Sequence, residues 1–342
     1  MQPYMGLGNS LQTAQAGGAG GIGGWVELAR TTLGSTNAAI DVTSLPDKRY
    51  YMLLTDIRKS ASLGSKLGIN GLTSTTYCQR KSLNGAADGT DVSQANWFDL
   101  TATNANPGFN ILYCANKSDK EKLVNGWRVD QSTAGAGTAP TRGELAYKNS
   151  TTSATIDQFT VSSTTSTFAS GSELVVLGWD PADEHTTNFW EELASVDTTT
   201  SSDMDTGTFT AKKYLWVQLF VEASGGIIYD ARFNGDSGSN YAYRKSTNGG
   251  ADGTTTSDSV MFSNHGFGSH PHFENWFIIN NASNEKLVIV NSMSQGSAGA
   301  GNAPNRQEKV GKWANTSDQI TQITINNGGI SSHYVCKVWG SD

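Results

Sequence analysis

The sequence predicts an all-β protein built from two tandem homologous β-sandwich, jelly-roll-like domains that follow a flexible N-terminal arm. Three observations lead to this prediction. Segments recur at a fixed spacing along the 342-residue chain, short apolar or alternating runs are separated by turn residues, and the composition combines 38 Gly with only 16% charged residues. This pattern is typical of many short strands joined by turns, because Gly and Asn supply the positive φ that turns require.

The internal repeat is the main organising feature of the chain. Asn84-Gly85 recurs as Asn248-Gly249, a spacing of 164 positions (248 − 84), and Trp25–Leu28 recurs as Trp190–Leu193 with one residue of slippage. Further matches include Lys48 with Lys212, Tyr77 with Tyr241, Arg80-Lys81-Ser82 with Arg244-Lys245-Ser246, Glu121–Val124 with Glu285–Val288, and Ala134–Gly137 with Ala298–Gly301. A period of this length corresponds to a whole domain, since solenoid repeats span about 20–50 residues.

The repeat and the turn signals set the expected domain boundaries. We expect an arm with a Gly-rich tether at residues 1–24, a first sandwich at 25–182 and a second at 188–342, joined by a short polar linker. Nine runs predict strands in the first copy: Trp25–Ala29, Ala38–Val42, Tyr50–Asp56, Thr76–Lys81, Phe109–Asn116, Lys122–Val129, Glu144–Lys148, Ile156–Val161 and Glu173–Trp179. Eight or nine strands per copy favour a jelly-roll-like double sheet, and an immunoglobulin-type sandwich is the alternative.

Charge and hydropathy patterning exclude several classes of function. The net charge is −7 and no basic run is present, so we expect no nucleic-acid partner. No apolar run approaches the ~18 residues of a membrane span, and the N-terminal segment lacks the pattern of a secretory signal peptide. The three cysteines are irregularly spaced and predict free thiols, which suits assembly in a reducing cytoplasm.

A repeated small-residue segment ends in an arginine in each copy. Residues 134–142 and 298–306 both follow the pattern Ala-Gly-Ala-Gly-x-Ala-Pro-x-Arg. The segment lacks the Lys-Ser/Thr ending of a phosphate-binding loop. Arg142 and Arg306 each precede a glutamate by two positions, so Arg142–Glu144 and Arg306–Glu308 are expected to pair on one face of a strand. These four residues are our candidates for an interface.

Two sets of residues are candidates for binding metal. The repeated turn places Asp88 and Asp252 among carbonyl oxygens that Ca²⁺ could use, although a plain hairpin turn explains the same pattern. His265, His270 and His272 lie close together with a nearby glutamate, as in some zinc sites. The first copy has no histidine at the matching positions. No cofactor is predicted apart from this option of Ca²⁺.

The aromatic residues and the missing catalytic motifs indicate binding. Four tryptophans are candidate platforms for stacking on sugars, and burial in the core is the alternative: Trp97, Trp127, Trp276 and Trp313. No Gly-x-Ser-x-Gly motif and no Cys-His pairing are evident, so we predict no catalytic residues and no enzyme. A pair of carboxylates distant in sequence could still carry glycosidase chemistry.

Several of these segments resemble uncharacterised virion-associated β-sandwich proteins of marine tailed viruses. The similar segments are Trp25–Ser35, the Lys-Tyr strand at 48–54, Asn240–Arg244, Ser297–Arg306 and Gly311–Ser317. The resemblance implies a capsid-surface, fibre or tail component that is located in the virion and contacts other virion proteins and copies of itself. A carbohydrate-binding attachment module for a host surface glycan and a double-jelly-roll major capsid protein are the alternatives.

Overall fold

A computed structural model describes residues 24–95, 98–181, 183, 187–223, 230–262, 270–326 and 332–342. Within these ranges the chain forms strands and no α-helix, which confirms the all-β prediction. Across the same ranges, nothing has the length and apolar character of a membrane-spanning helix. Apart from Gly24, the predicted arm lies outside the described residues. The three cysteines are free, as predicted.

The first copy is a sandwich of one large and one small sheet. Its strands are β1 (Val26–Thr32), β2 (Ala39–Val42), β3 (Tyr50–Ile57), β4 (Leu63–Ile69), β5 (Tyr77–Leu83), β6 (Gly89–Gln94), β7 (Phe98–Asn104), β8 (Gly108–Ala115), β9 (Lys122–Asp130), β10 (Thr141–Asn149), β11 (Phe159–Ser163) and β12 (Glu173–Trp179). The eight-stranded sheet has the order β1-β12-β3-β8-β9-β10-β5-β6, and the four-stranded sheet has the order β2-β11-β4-β7. All nine predicted runs contribute strands, and β4, β6 and β7 are additional.

The second copy has the same organisation. Its strands are β13 (Glu191–Thr200), β14 (Met204–Asp205), β15 (Tyr214–Ala223), β16 (Asp230–Phe233), β17 (Tyr241–Thr247), β18 (Gly253–Asp258), β19 (His272–Ile279), β20 (Lys286–Ser294), β21 (Asn305–Trp313), β22 (Ile323–Asn326) and β23 (Ser332–Ser341). They form an eight-stranded sheet, β13-β23-β15-β19-β20-β21-β17-β18, and a three-stranded sheet, β14-β22-β16.

The sequence repeat is therefore also a repeat of the fold. The large sheets match strand for strand, and the register matches residue for residue. Thr141 lies opposite Asp130 in the first copy, and Asn305 lies opposite Ser294 in the second, each pair 164 positions from its counterpart. The counterpart of β7 falls largely on residues outside the described ranges, so the smaller sheets are compared only in part.

The outer faces of the two large sheets pack against each other and form a core shared by both copies. Along β3, Tyr51 and Leu53 point into the first copy's own core, whereas Met52 and Leu54 point into the shared core. This alternation follows from the two-residue period of a strand. The second copy contributes apolar residues to the shared core: Phe189, Trp190, Tyr214, Phe277, Ile279, Leu287, Ile289, Val310 and Trp339. The two sandwiches thus form four stacked layers.

Candidate binding groove between the two copies

A buried ion pair fastens the two copies together. Arg142 is on β10, and Asp252 immediately precedes β18 in the other copy. The guanidinium donates from Nη2 to Oδ1 at 2.8 Å and from Nε to Oδ2 at 3.2 Å. The side chains of Arg142 and Asp252 are only 5% and 1% exposed. Because a two-pronged arginine–carboxylate pair fixes orientation as well as distance, it locks the relative position of the two sheets.

Further hydrogen bonds clamp the loop between β9 and β10 onto the second copy. They join Lys312 to the carbonyl of Gln131 (3.1 Å), Lys312 to the carbonyl of Thr133, the amide of Gly135 to Glu285, and Arg244 to the carbonyl of Pro140 (2.9 Å). Since buried polar groups need partners, these contacts make this side of the interface a closed, ordered junction.

The corresponding contacts with the roles of the copies exchanged are not formed among the described residues. Arg306 occupies the position of Arg142, yet its side chain is 59% exposed. Asp88 occupies the position of Asp252, but it pairs with Arg80 of its own copy at 3.3 Å and is 49% exposed. Lys148 pairs locally with Glu121 and stays near the surface. The interface is therefore closed on one side and open on the other.

On the open side, three cavities adjoin one another through shared lining residues. The first, of about 420 Å³, is lined by the same positions of both copies: Ser82 with Ser246, Gly85 with Gly249, Arg142 with Arg306, and Glu144 with Glu308. The second, of about 330 Å³, shares Asp88 and Arg306 with the first and adds Trp127. The third, of about 570 Å³, shares Asn125 and Ala146 with the second and lies on the first copy alone. We call these three cavities together the intercopy groove.

The far end of the intercopy groove is aromatic. Tyr50 stacks on Trp179 with ring centroids 5.3 Å apart, and Trp25 lies against Trp179 at 6.5 Å. Tyr113 meets the edge of Trp127 at 6.3 Å and links the aromatic end to the polar middle. These rings are partly exposed because the second copy does not cover this part of the sheet. Their positions on neighbouring strands create a continuous aromatic wall.

The charged end of the intercopy groove holds two guanidinium groups and three carboxylates, those of Asp88, Glu144 and Glu308. Arg306 donates from Nη1 to Oε1 of Glu308 at 2.7 Å, and Arg142 pairs in the same way with Glu144. Burial raises the pKa of Glu308; nearby Arg306 opposes this shift, and the charge of Glu144 adds to it. The two glutamates are therefore close enough to influence each other across the junction of the copies.

The predicted arginine–glutamate pairs are both present, and their surroundings differ. Arg142 contacts the other half of the same chain, whereas Arg306 faces the intercopy groove. Residues 134–142 therefore lie at a junction between the two halves of one chain. A role of these four residues in contacts with other chains stays a prediction.

Two of the four tryptophans proposed as sugar platforms are core residues, so this prediction was wrong for them. Trp276 is 0% exposed and donates from its indole nitrogen to Glu274 at 2.6 Å. Trp313 is 1% exposed and donates to Asp236 at 2.6 Å. Both fill the interior of the second sandwich because their strand positions point inward. Trp97 lies outside the described residues, and Trp127 lines the intercopy groove.

The proposed metal ligands do not come together within the described part of the chain. No group of three His, Cys, Asp or Glu side chains there is placed to hold a metal ion. Both oxygens of Asp252 accept hydrogen bonds from Arg142, and Asp88 lies elsewhere in the groove. His272 is buried, which lowers its pKa, while His270 is partly exposed. His265 lies outside the described residues, so a zinc site that includes it stays a prediction.

Comparisons with known proteins supply no family. No family model matches the chain, and no curated protein matches it. Among solved structures, domains LG4-5 of the mouse laminin alpha1 chain are 8% identical, with 90% of this chain and 83% of that chain covered and a TM-score of 0.19. The arabinofuranosyltransferase AftD from Mycobacteria is 9% identical, with 96% and 33% covered and a TM-score of 0.16. Scores this low carry no argument about function.

Proposed function

We propose that this chain is a glycan-binding attachment protein of a virus particle and that it acts by binding, without catalysis. The observation that carries the proposal is the intercopy groove, which joins a charged cleft to an aromatic wall through Trp127. Sugar rings present apolar C–H faces and polar hydroxyl edges, so they need aromatic surfaces beside hydrogen-bonding groups. Ligand sites also occur preferentially at junctions between domains.

The polar middle of the intercopy groove supplies the hydrogen-bonding groups. Asn125 and Asn291, one from each copy, line the same cavity as Trp127. A side-chain amide both donates and accepts, which matches the dual character of a hydroxyl group. Arg80, 61% exposed at this cavity, adds further donors. An extended ligand lying along the groove would meet stacking surfaces and hydrogen-bonding groups in succession.

The viral setting of the proposal is supported by the resemblance of the repeated segments to virion-associated proteins. In this setting the arm at residues 1–24 would connect the paired sandwiches to the particle. Assembly with other virion proteins or with copies of itself, and the double-jelly-roll capsid alternative, stay predictions. Immunogold labelling or mass spectrometry of purified particles tests the location, and absence of the chain from particles would refute it.

A glycan array tests the binding function. The wild-type chain should bind a subset of oligosaccharides, and Trp127→Ala should weaken this binding by about tenfold or more, because it removes the central stacking surface. Met293→Ala is the matched control, since Met293 is 51% exposed but lines none of the three cavities. No bound glycan, or equal losses in both variants, would refute the proposal.

A glycoside hydrolase is the second candidate, and one observation favours it. Glu144 and Glu308 line one cavity, and the raised pKa of Glu308 suits a general acid. Against it, each glutamate already pairs with an arginine two positions away, which gives both a structural role. Release of reducing ends from a bound oligosaccharide, abolished by Glu308→Gln, would establish hydrolysis. Intact oligosaccharide after prolonged incubation would exclude it for that ligand.

A further inference from the structure

Arg142, the counterpart of Arg306, shows how an arginine at this position of the repeat binds carboxylates. Arg142 holds two at once: Glu144 at Nη1, and Asp252 along the edge formed by Nε and Nη2. The planar guanidinium presents five donors in a rigid fork, so two carboxylates can occupy different edges of the same group. The first copy thus shows a complete arrangement that the repeat should reproduce in the second.

Arg306 reproduces half of this arrangement. Its amide donates to Oδ1 of Asn248 at 2.9 Å, as the amide of Arg142 does to Asn84 at 2.9 Å, so the backbone is placed alike. Its Nη1 pairs with Glu308 at 2.7 Å, which corresponds to the Arg142–Glu144 pair. Along the Nε and Nη2 edge, no carboxylate of the described residues pairs with Arg306, and this edge belongs to an exposed side chain that lines the groove.

Asp88, the counterpart of Asp252, does not pair with the Nε and Nη2 edge of Arg306. Asp88 pairs with Arg80, a residue of its own hairpin, whereas Asp252 crosses the junction to Arg142. Asp88 and Arg306 line the same two cavities on the open side of the junction. They do not pair with each other, and both side chains stay exposed. A carboxylate from a ligand would meet the same donor edge that Asp252 meets in the closed half.

We infer that the intercopy groove binds a glycan that carries a carboxylate, such as a uronic acid residue, and that Arg306 binds this carboxylate along its Nε and Nη2 edge. This inference rests on the proposed glycan-binding function and names the class of ligand. A second negative charge beside Glu308 is compatible with the site, because Arg142 already holds two carboxylates with the same geometry. Trp127 lines one of the two cavities that Arg306 lines, and its ring can stack on a sugar, which favours a sugar ring over an acidic peptide.

The test compares matched acidic and neutral probes by isothermal titration calorimetry on the full chain. The probes are trisaccharides of glucuronate, galacturonate and mannuronate, their methyl esters, and a Glu-rich heptapeptide. At least one acid should bind about tenfold more tightly than its ester, a difference of about 1.4 kcal/mol. Arg306→Gln should abolish this preference, because it removes the donor edge proposed for the carboxylate. Arg306→Lys should keep only part of it, because lysine lacks the two-pronged geometry.

The outcomes separate the inference from the function on which it rests. Equal binding of acid and ester, or an acid preference that survives Arg306→Gln, would overturn the inference and leave glycan binding intact. Failure of all three acids to bind, with other glycans bound on the array, would overturn the inference alone, and failure of every saccharide on the array as well would overturn both. Binding of the Glu-rich peptide that depends on Arg306, with no saccharide bound, would assign the site to a protein ligand and also overturn the inference. Because Arg306 is exposed, its variants should keep the wild-type melting temperature, which confirms that they fold.

Discussion

At the scale of single residues, the two copies differ inside their own cores as well as at their junction. In the second copy, Lys309 and Glu274 form a 2.6 Å ion pair with both side chains 0% exposed. The same positions of the first copy hold Leu145 and Asn110. Burial lowers the pKa of Lys309 to about 8, and the charge of Glu274 opposes this shift. A buried pair of this kind depends on both partners, because each charge left alone lacks solvation.

Removing one member of this pair should therefore be more damaging than replacing both. Glu274→Ala should lower the free energy of unfolding by about 3–5 kcal/mol, since it removes the carboxylate that compensates the charge of a buried ammonium group. The double variant Glu274→Asn with Lys309→Leu, which copies the first domain, should recover most of this loss. Urea denaturation of the three proteins measures the difference. A double variant as unstable as the single one would contradict this account.

Sequence patterns predicted residue pairings better than they predicted which face a residue occupies. The spacing of Arg142 and Glu144 on one strand was enough to predict their ion pair, because alternate residues share a face. For Trp276 and Trp313 the sequence left two alternatives, a sugar platform and burial in the core, because a strand buried on both faces lacks the alternation that identifies its inner side. The partner of Arg142 is 110 residues away, beyond the reach of any local pattern.

At the scale of elements, the repeated hairpin turn shows how one sequence motif acquires two roles. Asn84-Gly85 and Asn248-Gly249 adopt the same backbone, with φ of 53° and 71° in the first copy and 52° and 72° in the second. Of the two glycines, only Gly85 lies against the other copy. A Cβ on Gly85 would lie 2.4 Å from Oδ1 of Asp252, whereas a Cβ on Gly249 would lie 3.1 Å from Nη2 of the exposed Arg306.

Alanine at these two glycines should therefore have unequal effects. Gly249→Ala should cost about 1–2 kcal/mol of stability, because alanine is strained at positive φ. Gly85→Ala should cost several kcal/mol more, because it also displaces Asp252 from its buried partner. Gly34→Ala is the control, since Gly34 has open space around its Cβ position. Equal losses for Gly85→Ala and Gly249→Ala in denaturant titrations would show that the packing of this turn is unimportant.

Two of the strands missed by the sequence analysis, β4 and β6, have weak apolar patterns. β6 is Gly-Thr-Asp-Val-Ser-Gln at the edge of the large sheet, where only one neighbour pairs with it. In β4, Ser65 stands among the inward-facing Leu63, Leu67 and Ile69, and two glycines lie on the other face, so its apolar pattern and strand propensity are weak. Tertiary pairing decides the conformation of such segments, because their local preferences are weak. Most of the predicted strands, in contrast, carry buried residues at alternate or successive positions, and β1, whose residues are at most half-buried, is the exception.

At the scale of the whole molecule, the shared core makes one body of the two sandwiches. It depends on polar contacts at its margin as well as on apolar burial. Glu173 of the first copy accepts hydrogen bonds from Tyr214 at 2.8 Å and Lys213 at 3.0 Å in the second. Burial disfavours ionisation of Glu173, but Lys213, Thr32 and Tyr214 outweigh it and lower the pKa below 4.5. The carboxylate form is thus preferred in the folded chain.

This lowered pKa sets the sign of a pH effect. Stability from Glu173 is present above its ordinary pKa of 4.5 and is lost as the pH falls through the lower pKa of the folded state. We expect Glu173→Gln to lower the melting temperature most near ~pH 7 and progressively less below ~pH 4. Differential scanning calorimetry of both proteins measures this difference. A difference that stays constant or grows on acidification would contradict the role given to Glu173.

The groove itself could not be predicted from sequence, because it arises from an interface that closes on only one side. The repeat predicts two equal copies, and equal copies could make both sets of contacts. Arg142 and Arg306 occupy equivalent positions, yet their side chains are 5% and 59% exposed. Likewise, Tyr50, Tyr113 and Trp179 line a cavity because the second copy does not cover this part of the first copy's sheet. Such differences follow from the docking of whole sheets.

A crystal structure of the chain with its best-binding acidic oligosaccharide tests the central claim most directly. We expect a sugar ring against Trp127 and a carboxylate beside Nε and Nη2 of Arg306, with the Arg142–Asp252 pair intact. Sugar bound away from the groove, or two sandwiches separated from each other in the complex, would contradict the account.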